Sequence, residues 1–202
     1  LIFYSYRPNN SSKKRRIVAI YAVLHHNSCM DCFLQPIGND DSDLAALNRH
    51  ISRDFPANEQ LPPFILKRMF RKKLLCADYL SDGRQQYAYI IYHIVEACNT
   101  AHVLYFAIMP QYRGSGYGTR TLNMFKSAHE GVSVMLEVEE PESARDGAEK
   151  QTRLRRISFY GRCGFNLADG VRMQLFSMRM LIMATEPLPG QEVKERYVNV
   201  YR

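Results

Sequence analysis

Apolar and polar positions along this chain change period several times, and each change marks an element. Cys32 to Ile37 alternates with the two-residue period of a short strand. Asn39, Asp40, Asp41 and Ser42 then offer helix-capping oxygens ahead of Leu44, Leu47, His50 and Ile51, which recur at helical spacing. Pro56 ends that helix. Pro62-Pro63 opens a second one, in which Phe64, Met69 and Phe70 are apolar among Lys67, Arg68, Arg71, Lys72 and Lys73. Leu74 to Leu80 and Gln85 to Val95 predict a hairpin turned at Ser81-Asp82-Gly83-Arg84. Within its second strand, Tyr87, Tyr89, Ile91 and His93 share one face, and Ala88, Ile90, Tyr92 and Ile94 the other.

His102 to Met109 is apolar almost throughout, which suits a central strand covered on both sides. Pro110 stops it, and a glycine-rich turn leads into a helix from near Gly116 to about Ala128. Val132 to Glu139 predicts another strand, Pro141 to Gly147 a polar loop, and Gln151 to Cys163 a helix stopped by Gly164. Gln174 to Met183 predicts one last strand. Glu186 to Arg202 is polar, carries Pro187 and Pro189, and is expected to be a tail that stays mobile or extends over a partner. No internal repeat is present.

A length of 202 residues, 46% of them hydrophobic and 23% charged, bounds the chain to one domain, with a core large enough to need no metal or disulfide. No apolar run reaches the roughly 18 to 20 residues of a bilayer span. The net charge of +7 is concentrated at one end. Residues 1–29 hold Arg7, Lys13, Lys14, Arg15 and Arg16 and no acidic residue, so the rest carries 22 basic against 20 acidic residues. That balance argues against a nucleic-acid surface on the body of the protein, and leaves only the basic tail for such a role. Ile17 to Leu24 loosely imitates a signal peptide, but His25-His26-Asn27 stands where a small-residue cleavage site belongs. Residues 1–29 are expected to be a non-native or disordered segment, with Met30 the natural start. The five cysteines include one CxxC (Cys29 and Cys32) without a second pair. They read as free thiols of a cytoplasmic protein rather than a metal site.

The informative stretch is Tyr105-Phe106-Ala107-Ile108-Met109-Pro110 followed by Gln111-Tyr112-Arg113-Gly114-Ser115-Gly116-Tyr117-Gly118-Thr119. A buried strand ends, the chain turns on glycines, and a helix begins. Such a turn aims unpaired amides at one point beside the positive end of a helix dipole, an arrangement suited to phosphate. A Walker loop would need Gly-Lys-Ser or Gly-Lys-Thr, and neither occurs. The dinucleotide pattern GxGxxG fails in both frames, ending on Thr119 or Thr121. A glycine turn with no ligand remains the alternative for the loop taken alone.

Arg113-x-x-Gly116-x-Gly118 resembles the R/Q-x-x-G-x-G/A signature of the GNAT superfamily of N-acetyltransferases. A second block, Arg153 to Phe165, resembles that family's late helix, which ends F/L-Y-x-x-x-G-F; here it reads Phe159-Tyr160-Gly161-Arg162-Cys163-Gly164-Phe165. Met135 to Glu139 falls where the family has its fifth strand, and Asp31 to Glu59 resembles its opening strand and helix. The resemblance spans about residues 30–183. It implies a mixed α/β domain over 30–185: a mostly antiparallel sheet flanked by helices, with its fourth and fifth strands splayed. It also implies acetyl-CoA as co-substrate, an amine acceptor, soluble cytoplasmic material and a homodimer as a frequent assembly, with no nucleic acid or membrane. The Arg-rich late helix resembles a subgroup of bacterial members.

Carried over residue by residue, the resemblance assigns the backbone of Phe106, Ala107 and Ile108 to the pantetheine arm and acetyl carbonyl. It gives Arg113, Gly114, Ser115, Gly116, Tyr117, Gly118 and Thr119 to the pyrophosphate. Tyr160 matches the family's general acid for the departing thiolate; packing beside Phe159 and Phe165 is the alternative. The glutamate that many members carry on the strand before the loop is absent, since Val103-Leu104-Tyr105 stands there. Glu137 and Glu139, on one face of the next strand, are the nearest replacements as base, or else partners of Arg153, Arg155 or Arg156. Arg153 and Arg156 replace the usual Asn and Ala, and are expected to reach cofactor phosphate, an acidic acceptor, or solvent. An acyl-CoA-binding module without catalysis is the second reading.

Overall fold

Asp40 accepts hydrogen bonds from the amides of Ser42 and Asp43, both at 2.9 Å, and this cap starts the first helix where the sequence offers its capping oxygens. The computed structural model describes residues 32–175 and 178–200. The expectations for residues 1–29 lie outside them. The elements run β1 (Phe33–Pro36), α1 (Asp41–Asp54), α2 (Pro63–Arg71), β2 (Cys76–Ser81), β3 (Gln86–Val95), β4 (Thr100–Ile108), α3 (Tyr117–Ala128), β5 (Ser133–Glu139), α4 (Gly147–Arg162), β6 (Asn166–Leu175), β7 (Met178–Ala184) and α5 (Gly190–Val200). Among the described residues seven strands form one sheet in the order β1-β2-β3-β4-β5-β7-β6. Its neighbours pair antiparallel except β4 with β5, which are parallel. This is the mixed α/β architecture that the resemblance implies.

The alternating faces of the strands separate two cores. On one face Ile90, Tyr92, Ala101, Val103, Val134 and Leu136 meet Leu122 and Phe125 of α3 and Tyr160 of α4. On the other, Ala77, Tyr79, Tyr89 and Ile91 meet Leu44, Leu47 and Ile51 of α1 and Leu66 and Phe70 of α2. Burial of each such aliphatic or aromatic side chain contributes about 1.5–3 kcal/mol, which fixes the strand register because a one-residue slip would expose the whole set. Among the described residues no helix is long and apolar enough to cross a membrane.

Three expectations change. The single strand expected at 174–183 is a hairpin of β6 and β7, whose ladder is interrupted between Leu167 and Arg172. The first half of β6 is largely exposed and contains Asp169-Gly170, so no apolar alternation announces it. Helix α4 begins four residues earlier than expected, because the Asp146 side chain caps it through the Glu149 amide at 2.8 Å. The polar tail is not a free segment: residues 190–200 form α5, which buries Val193 against Met135, Val171 and Ile182. Val193 and Tyr197 lie four residues apart and so share a helix face.

Candidate functional site

Strand β4 pairs with β5 only from Thr100 to Val103, opposite Ser133 to Leu136. Beyond that point the two diverge. The cause lies on the other edge of β4: Ile91 pairs with Tyr105 and Tyr92 with Val103, leaving Leu104 as an extra residue. A bulge of this kind bends and twists its strand, and here it turns the end of β4 away from β5. The Met109 amide donates to Tyr87 O on the β3 side at 2.9 Å. By alternation Ala107 also spends its backbone on β3, whereas Phe106 and Ile108 turn theirs into the opening. On the opposite arm the Glu140 amide donates to Arg179 O of β7 at 2.8 Å, so Glu137 and Glu139 turn theirs inward. The result is a wedge with two strand edges that lack a ladder.

The glycine turn lies at the wide end of β4. Gly114 and Gly116 have φ of +79° and +81°, a region that L side chains enter only with strain, and a Cβ on either would meet open space. Gly118 answers a different need: a Cβ there would lie 3.0 Å from Phe159 Cζ. Gly116 caps α3, its carbonyl taking the first helical bond from the Arg120 amide at 3.1 Å, so the Gly118 and Thr119 amides have no intrahelical acceptor. The Arg113 side chain turns away from this cradle. It donates to Asp54 Oδ1 at 2.7 Å and to Ile108 O at 3.2 Å, holding the turn against the end of α1. Tyr117 stacks on Tyr87, ring centroids 4.3 Å apart, and anchors the other side.

Residues 44–165 match the acetyltransferase (GNAT) family. The chain belongs to that family. No curated protein matches it in sequence. Among solved structures it is similar to a GNAT-family protein from Bacteroides thetaiotaomicron, at 24% identity and a TM-score of 0.67 over 81% of this chain and 92% of that one. A spermidine N-acetyltransferase from Vibrio cholerae shares 11% identity at a TM-score of 0.56, over 82% and 97%. The ribosomal-protein-S18-alanine N-acetyltransferase of Escherichia coli shares 22% at 0.50, over 75% and 92%. At these identities the likeness is one of fold.

In this GNAT chain Tyr160 belongs to the buried cluster that holds Val138 of β5 and against which Phe106 of β4 packs. Burial pushes its phenol up to about 12, against the pull of the Arg156 charge. Among the described residues no group bonds its hydroxyl. A phenol in that condition keeps its proton at neutral pH and has it free to give.

The two carboxylates expected to serve as base are both engaged. Glu137 Oε1 takes hydrogen bonds from His102 Nε2 at 2.8 Å and from Tyr197 Oη of α5 at 2.7 Å. Burial works to raise this carboxyl, and the His102 charge with both hydrogen bonds outweighs it and holds it low. The arrangement ties α5 to the root of the wedge; it does not hold a proton acceptor ready. Glu139 forms an ion pair with Arg156. Arg153 donates to Glu140 O at 2.6 Å, Ser143 Oγ at 2.9 Å and Glu149 Oε1 at 2.9 Å, so it fastens the turn before α4 and not a phosphate.

Four contributors carry no signal of their role in the sequence. His102 and Tyr197 meet Glu137, and Asp54 meets Arg113, across 35 or more positions of the chain. Tyr105 Oη accepts from the Leu61 amide at 2.8 Å and donates to Glu59 O at 2.9 Å, fixing the segment between α1 and α2 over β4. Its place in an apolar strand gave no sign of that.

Proposed function

We propose that this chain is an acetyl-CoA-dependent N-acetyltransferase that moves an acetyl group to a primary amine by direct attack in a ternary complex. The observation that carries this reading is the conjunction of three features: the open edge of Phe106 and Ile108, the glycine cradle at its end, and Tyr160 in the buried cluster to which both arms contribute. An extended thioester with a diphosphate at one end fits that sequence of groups. Its amide-bearing arm would pair with the backbone of Phe106 and with the Ile108 amide, the Ile108 carbonyl being taken by Arg113. The diphosphate would accept from the Gly118 and Thr119 amides, where the helix dipole adds to the attraction. Amine attack then needs a neutral nitrogen and a proton for the leaving thiolate, and Tyr160 would supply the latter.

The acceptors named for the similar proteins, spermidine and a ribosomal-protein alanine, suggest a panel of polyamines and peptide amino termini. Calorimetry with coenzyme A should show saturable uptake, and thiol release from acetyl-CoA should depend on an amine from the panel. Absence of any uptake of coenzyme A would refute the reading. Uptake without amine-dependent thiol release would favour a non-catalytic acyl-CoA-binding module, to which the engagement of Glu137 and Glu139 lends weight.

A further inference from the structure

With Glu137 and Glu139 engaged, a third carboxylate at the wedge stands out. Glu59 closes the short 3-10 turn Ala57–Glu59 between α1 and α2 and is half-buried. Among the described residues its carboxylate makes no hydrogen bond or ion pair. The backbone around it is clamped by Tyr105 on the β4 arm. The preceding Asn58 reaches Met178 Sδ of β7 at 3.6 Å, so the turn passes over the mouth of the wedge from one arm to the strand beyond the other. The charges that act on the Glu59 carboxyl are consistent with the crossing: Glu139 of β5, then Arg156 and Arg153 of α4. Arg156 and Glu139 also act on the Tyr160 phenol. Glu59 and Tyr160 therefore both feel the charges of one ion pair, Arg156 with Glu139.

We propose that Glu59 is the carboxylate that receives the acceptor's ammonium group and takes its proton, a role that rests on the acetyltransferase reading above. Burial and the Glu139 charge both raise this carboxyl, with Arg156 and Arg153 opposing, and a raised carboxylate is a better base for an amine. An ammonium seated there gives one proton to Glu59 and becomes a neutral amine. Its lone pair forms the C–N bond to the thioester carbonyl carbon, and the π pair moves to oxygen. The pair returns, the C–S bond breaks, and the thiolate takes the Tyr160 proton. Tyr160 recovers a proton from the new amide nitrogen, and Glu59 releases its own to water, so one proton leaves per turnover. Acceptors that are cationic at neutral pH should be preferred.

The test uses the full chain saturated with coenzyme A, titrated calorimetrically with spermidine and with propylamine, for wild type, Glu59→Gln and Glu59→Asp. Wild type should bind spermidine, Glu59→Gln should bind it at least tenfold more weakly, and Glu59→Asp should lie between. Coenzyme A affinity and melting temperature should be retained in both variants. In acetyl transfer, Glu59→Gln should lose about 100-fold in kcat/KM and the acid limb of its pH profile. Amine uptake by wild type no stronger than by Glu59→Gln, including none by either, overturns the assignment. Failure of wild type to bind coenzyme A sinks the acetyltransferase reading instead, which keeps the two failures apart.

Discussion

Gly118 and Phe159 approach so closely that a methyl group on the glycine would lie 3.0 Å from one ring carbon and 3.3 Å from the next. The cradle's glycines thus serve two separate needs. Gly118→Ala requires the Phe159 ring, next to Tyr160 on α4, to give by a few tenths of an ångström. Gly116→Ala meets no atom but must adopt a left-handed backbone, at about 1–2 kcal/mol. Both should raise the KM for acetyl-CoA, by roughly tenfold for Gly116→Ala if the strain is released by opening the turn. Ser115→Ala should leave it unchanged. Equal, small effects for all three in steady-state kinetics would contradict a main-chain cradle.

Asp54 holds the turn from below. Its buried carboxylate receives Arg113 at 2.7 Å, Arg53 at 2.6 Å and Tyr89 Oη at 3.2 Å. Removing one partner of a buried ion pair costs about 3–5 kcal/mol, and the partial exposure of both arginines lowers that to about 2 kcal/mol here. Asp54→Ala should lower the denaturant midpoint accordingly and weaken coenzyme A binding, because Arg113 loses its anchor. Arg113→Lys should weaken binding with less loss of stability.

Tyr160→Phe should reduce kcat by about 100-fold, with little change in KM or melting temperature, since among the described residues its hydroxyl makes no hydrogen bond. Its folded value of about 12 lies above the ordinary tyrosine value near 10. A buried phenol of this kind contributes stability that is complete below the unfolded value and lost as pH rises through the folded one. Tyr89 and Tyr92 are raised in the same direction, chiefly by burial. Melting temperature should therefore begin to fall above about pH 10, and the kcat profile should show no tyrosine limb below that pH.

Tyr197→Phe removes the bond from α5 to Glu137. A hydrogen bond to a charged group contributes about 1.5–3 kcal/mol, and a loss of that order is expected in urea unfolding. The Glu137 carboxyl is held below its ordinary value, so its contribution is present above the unfolded carboxylate value and lost as pH falls through the folded one. The stability gap between wild type and Glu137→Gln should thus be largest at neutral pH and shrink below about pH 4. Deleting residues 186–202 should cost more than either substitution, because it uncovers Met135 and Ile182 as well.

The part of the fold legible along the chain is local. Periodicity and capping residues placed α1, α2, the β2–β3 hairpin, β4, α3 and β5, because each buries one face and begins or ends on a residue with a fixed backbone preference. The glycine turn and the block around Tyr160 were legible for the same reason: both depend on residues near in sequence. β6 was not, since its exposed first half has no apolar alternation, and α5 was not, since two prolines and a polar surface concealed a narrow apolar stripe. The tertiary structure alone decided how the charged groups divide their work. Glu137 and Glu139 share a strand face, yet their partners His102, Tyr197 and Arg156 come from other elements. Whether a carboxylate is engaged or free is settled by what the fold brings against it, and the spacing of residues along one strand carries no record of that.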